Sequence, residues 1–206
     1  MVVYPSFKEE RLLIAEGFTL FAGVDEVGCG CLAGPVYAAA VILPLDSRLG
    51  LIRDSKTLND AQKNKLEVMI KQRATAWSVG MASVQEIDEL NIRQAAFLAM
   101  RRAIETLSTQ PQVVLSDGFM IPGLSIPCRR IVKGDKYVKS IAAASIIAKT
   151  ARDREMDGLD EKYPGYGFAE HKGYATKRHQ AALNTLGPSP IHRVSYEPIK
   201  QLLNAR

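Results

Sequence analysis

The sequence predicts an α/β fold in which helices flank a mixed sheet, and three observations carry that expectation. Short apolar runs end in acids beside glycines, as strands of an open sheet do along one edge. Stretches with helical spacing lie between those runs. The chain has 206 residues, of which 47% are hydrophobic, enough for one sizeable core. No run of 18 or more apolar residues occurs, so no membrane span is expected.

Residues 6–16 read as a short helix with Ser6 as its N-cap. Residues 20–27 read as a buried strand that closes on Asp25-Glu26 and runs into the turn Gly28-Cys29-Gly30. A second strand, 35–44, is bounded by prolines, although its alanines are weak strand formers. Leu66, Met69 and Ile70 give 59–73 a helical spacing, and alternating Trp77, Val79 and Met81 make 74–83 a third strand. Residues 91–107 form an amphipathic helix opened by Asn91. Val113-Val114-Leu115 is a short strand ending at Asp117-Gly118, and 119–129 is a Pro/Gly-rich connection. Arg130-Ile131-Val132 is another strand, ending at Lys133-Gly134-Asp135. A long helix, 138–160, is Ala-rich first and charged later. From Tyr163 glycines and prolines break up the chain, aromatic and basic residues interleave, and helices are expected at 176–186 and 196–205.

The net charge of +5 is unevenly spread. Residues 1–128 hold 12 Lys and Arg against 14 Asp and Glu, whereas 129–206 hold 15 against 8. A basic C-terminal third beside an acidic centre suggests a polyanion held near a metal site. An ordinary solvated surface has the same composition. Three cysteines, Cys29, Cys31 and Cys128, form no disulfide framework and point to a reducing compartment. Cys29-X-Cys31 could be half of a zinc site, but no second pair stands at finger spacing. Residues 1–10 lack a basic stretch followed by an apolar one, so secretion is not expected and the location is taken as cytoplasmic.

Adjacent carboxylates at a strand end are the sharpest local feature. Neighbouring strand residues point to opposite faces, so Asp25 and Glu26 converge only if the glycine turn bends the backbone. Read alone, the pair is equally a solvated strand end. Asp117 and Asp135 also follow short apolar runs, and four converged carboxylates would need cations between them. Three independent turn aspartates explain the same pattern. Ser145 and Lys149 are four apart and share a helix face, where they and Lys56 are plausible phosphate contacts. The helix N-terminus near Ser140 could add backbone N–H groups. Tyr174, flanked by Lys172, Gly173 and Lys177, suits packing against a sugar, with Tyr166 as a competing candidate better placed for a turn. His171 reads as a structural hydrogen-bonding residue rather than a proton shuttle.

Six segments recur in a known order: Gly23-Val24-Asp25-Glu26-Val27-Gly28, Asp54-Ser55-Lys56-Thr57-Leu58, Ser116-Asp117-Gly118, Lys133-Gly134-Asp135, 142–149 and His171-Lys172-Gly173-Tyr174. In these the chain resembles bacterial type 2 ribonuclease H (ribonuclease HII), from about residue 20 onward. The resemblance implies the ribonuclease H fold, a central mixed five-stranded sheet flanked by helices, with a small C-terminal helical extension. On it, 1–162 is the catalytic domain and 163–206 a loop-helical, substrate-binding extension packed against it. It implies a Mg- or Mn-dependent endonuclease that cuts the RNA strand of RNA/DNA hybrids. It further implies incision 5′ of single ribonucleotides embedded in duplex DNA, leaving 5′-phosphate and 3′-hydroxyl ends. The catalytic acids are then Asp25, Glu26, Asp117 and Asp135, the first three as direct metal ligands. Gly28, Cys29, Gly30, Lys56, Ser145, Lys149 and Tyr174 become substrate-binding residues, with Tyr174 on the sugar beside the ribonucleotide. The partners are nucleic acid and no membrane, with a monomer as the default. One position departs: the family has Gly-Arg-Gly where this chain has Gly28-Cys29-Gly30, so a guanidinium is lost. A catalytically weakened protein that holds the hybrid or junction without cutting it is the alternative.

Overall fold

The structure, a computed structural model, describes residues 4–50, 52 and 58–204. Its elements are α1 (Lys8–Ala15), β1 (Phe21–Val27), β2 (Val36–Ile42), α2 (Asp60–Arg73), β3 (Ala76–Ala82), α3 (Val84–Leu90) and α4 (Ile92–Glu105). They continue as β4 (Val113–Asp117), β5 (Cys128–Ile131), α5 (Gly134–Tyr137), α6 (Lys139–Lys162), α7 (Phe168–His171), α8 (Lys177–Leu186) and α9 (Ile199–Asn204). The strands form one five-stranded sheet in the order β3-β2-β1-β4-β5. The β1–β2 and β2–β3 pairs are antiparallel, and β1–β4 and β4–β5 are parallel. This is the expected mixed sheet.

Alternation along each strand divides the core between two helical layers. Ala22 and Val24 of β1 join Phe97, Met100 and Ala103 of α4. On the other face Ala39 and Val41 of β2 join Ile146 and Ile147 of α6 and Leu66 and Ile70 of α2. Gly23 is bare because α6 crosses directly over it. A Cβ there would lie 2.2 Å from the Ser140 carbonyl carbon and 2.3 Å from the Ile141 nitrogen. The same device brings α4 onto β3, where a Cβ on Gly80 would lie 2.2 Å from the Ala99 oxygen. β3 therefore turns its small residues toward α4, and Trp77 faces outward under the Lys71 ammonium, 4.2 Å from the ring.

Several element boundaries differ from expectation. Ser6 does not cap α1; it bridges to Val138, and its N–H donates to the Tyr137 carbonyl at 2.9 Å. α3 was not foreseen because seven residues show no clear period, yet Ser83 and Glu86 form a capping box that the S-x-x-E spelling announces. Asn59 and Asn91 cap α2 and α4, and Thr176 caps α8. The short turn α7 lies in a stretch expected to be loop. Residues beyond Tyr163 fold back on the end of α6, where Met156 packs with Leu32, Ala33, Tyr166, Phe168, Leu183 and Ile199. Among the described residues no helix is long and apolar enough to cross a membrane.

Candidate active site

β1 and β4 are parallel neighbours, so both deliver their last residues to one sheet edge. Val24 pairs with Ser116 across them, which sets Asp25 and Asp117 side by side. Asp135 arrives differently from the expected strand end. Lys133 adopts a left-handed backbone (φ 57°) that turns the chain into α5, and Asp135 sits in the first turn of that helix. The turn aims the Gly134 N–H at Asp117 Oδ1, 2.7 Å away. Asp25 and Asp135 are each only 5% exposed. Burial pushes the Asp25 carboxyl well above the usual carboxylate range. The charges of Glu26, Asp117 and Asp135 push the same way, against a hydrogen bond from Ser145.

The expected bend between Asp25 and Glu26 is not present. β1 stays paired with β2 through Val27 and Tyr37. Asp25 therefore lies on the α6 side with Ser145, and Glu26 on the α4 side, where Cys29 Sγ is 4.0 Å from its Oε1. Both acids still border one cleft of about 300 Å³, because the cleft lies across the end of the sheet. Asp117, Asp135, Lys63, Ser145, Lys149 and Tyr174 complete its polar lining. Among the described residues no three His, Cys, Asp or Glu side chains are gathered tightly enough to hold a metal ion by themselves. The donor set is nonetheless all oxygen, which suits a hard divalent cation, and the repulsion felt at Asp25 is what such an ion relieves.

Two buried arginines that the sequence reading missed hold the turn Gly28-Cys29-Gly30 and the segment that follows it. Arg193 is fully buried and donates to the carbonyls of Gly28 (2.7 Å), Cys29 (3.0 Å) and Gly34 (2.9 Å). Arg152 of α6, also fully buried, donates to Pro35, Ala33 and Lys172 carbonyls at 2.9–3.1 Å. Gly28 has φ +97°, and a Cβ there would sit 2.3 Å from Arg152 Nε. The Gly28 and Cys29 carbonyls are thus already engaged within the protein. The usable signal was the α6 spacing: Arg152 continues the stripe of Ser145 and Met156 and so falls on a buried face. Burial, then the Glu26 charge, pushes the Cys29 thiol up to about 12, so it is protonated and unreactive at neutral pH.

The other expected contacts separate clearly. Ser145 and Lys149 do share the cleft, with Lys149 Nζ 5.8 Å from the Tyr174 ring centre and 2.6 Å from Asp153 Oδ1. Lys63, missed from sequence, enters the same cleft and pairs with Asp60 at 2.7 Å and Asp153 at 3.7 Å. Tyr174 is 41% exposed, and burial, followed by the neighbouring Cys31, pushes its hydroxyl above the ordinary tyrosine value. Tyr166 is buried; its hydroxyl donates to the Gly187 carbonyl at 2.7 Å, the structural role foreseen as the rival reading. The Ser140 N–H is not available to phosphate, because the buried Glu10 carboxylate accepts from it at 3.0 Å. Lys56 lies outside the described residues.

Comparison with known proteins agrees with this geometry. The family model "Ribonuclease HII" matches residues 22–199. A ribonuclease HII of Nitrosococcus oceani is 52% identical over 184 residues, covering 89% of this chain and 92% of that protein. The crystal structure of ribonuclease H2 from Pyrococcus horikoshii superposes with a TM-score of 0.78 at 26% identity, covering 91% of this chain and 98% of that one. An Archaeoglobus fulgidus RNase HII, solved in complex with PCNA, superposes at 0.74 with 25% identity, over 87% of this chain and 96% of that one. A match that takes in β1, β4 and α5 together, at such identity across nearly the whole length, places the chain in the ribonuclease HII family, as a ribonuclease H.

Proposed function

We propose that this ribonuclease H hydrolyses the RNA strand of RNA/DNA hybrids and incises 5′ of single ribonucleotides in duplex DNA, with Mg²⁺ or Mn²⁺ as cofactor. The observation that carries the reading is the cleft itself. Four carboxylates from β1, β4 and α5 line it together with Lys149 and Tyr174. Asp25, Glu26 and Asp117 would hold the cation, with Asp135 closing the cluster. When bound, a divalent ion would supply positive charge near the scissile phosphate and lower the pKa of a nearby water.

The chain's own residues supply the rest. Lys149 and Lys63 are cations reaching into the cleft beside the acids, and Asp153 pairs with both. They compensate phosphate charge as the strand enters. The half-exposed Tyr174 ring presents a face for the deoxyribose next to the ribonucleotide, and the 2′-hydroxyl is the only group that marks the ribose. Gly28-Cys29-Gly30 borders Glu26 and brings backbone close to that hydroxyl. Holding Gly28 and Cys29 through Arg193 keeps the turn rigid without the family's arginine.

The test is cleavage of an end-labelled DNA duplex containing one ribonucleotide, in Mg²⁺ and then Mn²⁺, beside an all-DNA control and an RNA/DNA hybrid. One product ending 5′ of the ribonucleotide, with the control intact, is the expected result. Cutting of the hybrid alone would refute the junction specificity and leave the nuclease. No cutting of either substrate by folded protein would favour the binding-only reading raised by Cys29.

A further inference from the structure

The chain's three histidines all belong to one buried cluster beneath the Tyr174 loop. His171 ends α7, His179 lies in the first turn of α8 and His192 follows it. His171 and His179 stack with ring centres 4.3 Å apart, and Phe168 meets both edge-on. His179 Nε2 and His192 Nε2 are 2.9 Å apart, and His179 Nδ1 lies 2.9 Å from the Tyr174 carbonyl oxygen.

These contacts determine where every proton sits. The Tyr174 carbonyl only accepts, so His179 Nδ1 carries hydrogen. A neutral His179 then has a bare Nε2, which accepts from His192 Nε2–H. His192 Nδ1 must in turn be bare, and the Ser189 N–H points at it from 2.8 Å, closer than the Ser189 carbonyl at 3.3 Å. Reasoning from either end gives the same tautomers. His171 is fixed independently: Gly173 N–H donates to its Nδ1 at 3.2 Å, and its Nε2–H donates to the Tyr166 carbonyl at 2.8 Å. Burial holds His179 and His192 at about 4, well below the ordinary value, so both are neutral at physiological pH.

The relay ends on Tyr174, which lines the cleft. Tyr174 is already tied by its N–H to the His171 carbonyl and by its carbonyl to the Thr176 N–H, at 2.9 and 2.8 Å. The imidazole bond adds a side-chain tie from this turn to α8, whose N-cap Thr176 already accepts from the His179 N–H at 3.2 Å. We propose that His179 and His192 are positioning residues for substrate recognition, a chain of ordered neutral imidazoles that fixes the Tyr174 ring at the cleft. This rests on the reading of Tyr174 as a sugar contact.

The test uses two amides of different reach. In His179→Asn the side-chain NH₂ takes the place of Nδ1–H and keeps the bond to Tyr174. In His179→Gln the amide reaches His192 and loses Tyr174. The expected result is a KM for the single-ribonucleotide duplex raised about tenfold in His179→Gln, with kcat little changed and His179→Asn within about twofold of wild type. In a Tyr174→Ala background His179→Gln should have no further effect. Equal losses from Asn and Gln, or losses that add to Tyr174→Ala, would show a packing role and overturn the proposal. An unchanged KM in Tyr174→Ala alone would instead overturn the sugar-contact reading, and the proposal with it. Nitrogen-15 NMR of the wild-type imidazoles checks the relay without any variant. One Nδ1–H and two Nε2–H tautomers are expected, and an Nε2–H tautomer at His179 refutes it.

Discussion

At the scale of single residues, Asp117 and Cys29 separate chemistry from recognition. Asp117→Asn keeps an oxygen to accept the Gly134 N–H at 2.7 Å, so α5 and Asp135 should stay in place. What it removes is a negative charge from the acids proposed to hold the metal. Turnover should fall by at least about a hundredfold while duplex binding persists. Mg²⁺ should raise the melting temperature of the wild type, and by less that of the variant. Turnover within tenfold of wild type would remove Asp117 from the metal set. Cys29→Arg tests the departure from the family pattern. The Cys29 sulfur is 4.0 Å from Glu26 Oε1, so an arginine here either pairs with that acid or reaches past it to a phosphate. Phosphate contact predicts tighter binding and a salt slope steeper by about one contact, read from affinity titrations at several ionic strengths. An unchanged slope would mean that Glu26 has captured the guanidinium.

At the scale of elements, the junction of β1 and α6 sets the site. Gly23→Ala would drive a methyl to within 2.2 Å of the Ser140 backbone, which has no rotamer to yield. α6 would have to lift, carrying Ser145 and Lys149 away from Asp25. Destabilisation of about 2–4 kcal/mol is expected in urea unfolding, with activity lost more steeply than stability. This junction also shows how far sequence reasoning reached. The Gly-X-Asp spelling was visible, and so were the strands, because alternation and apolar runs repeat locally. Asp25, Glu26, Asp117, Ser145 and Lys149 could be placed because they sit at ends of regular elements or on one helix face, and Tyr174 because it stands among basic residues and glycines in a loop. The clamps could not. Arg193 reaches Gly28 across 165 residues, and Glu10 reaches Ser140 across 130. Side-chain bonds to distant backbone leave no periodic trace, so a buried arginine spells like a surface one. Asp135 was found as a residue but misplaced as a strand end, because the left-handed turn at Lys133 has no glycine at that position to announce it.

At the scale of the molecule, the sheet edge and the C-terminal segment are coupled through buried charge and buried imidazole, and pH should report on the second. His179 and His192 are at most 1% exposed, and both lie at about 4 in the fold against an ordinary 6.5. Between those values the unfolded chain binds protons that the folded chain refuses. Stability from the neutral pair is therefore complete above pH 6.5 and is lost as pH falls toward 4. The titratable side chains facing the pair are His171 from α7 and each other; Tyr166 packs on His192 with ring centres 5.2 Å apart. Glu67, where burial is outweighed by Arg154 and Lys71 so that it lies at about 2, loses its contribution only below pH 4.5, beneath the two pH values compared here. Asp25 has the opposite sign, because its raised carboxyl favours the folded state as it protonates. An Asp25→Asn background removes that interference, and the Glu10 carboxyl, raised by burial and of the same sign, is common to every variant compared. In it, urea unfolding at pH 7 and pH 5 should differ by about 2–4 kcal/mol, with the lower pH less stable. A second substitution, His192→Phe, should flatten the difference to that of one imidazole or less, since charging His179 no longer sets two N–H groups against each other. Equal stability at the two pH values would mean that the imidazoles are solvated in the fold, and that the Tyr174 loop is held by its backbone bonds alone.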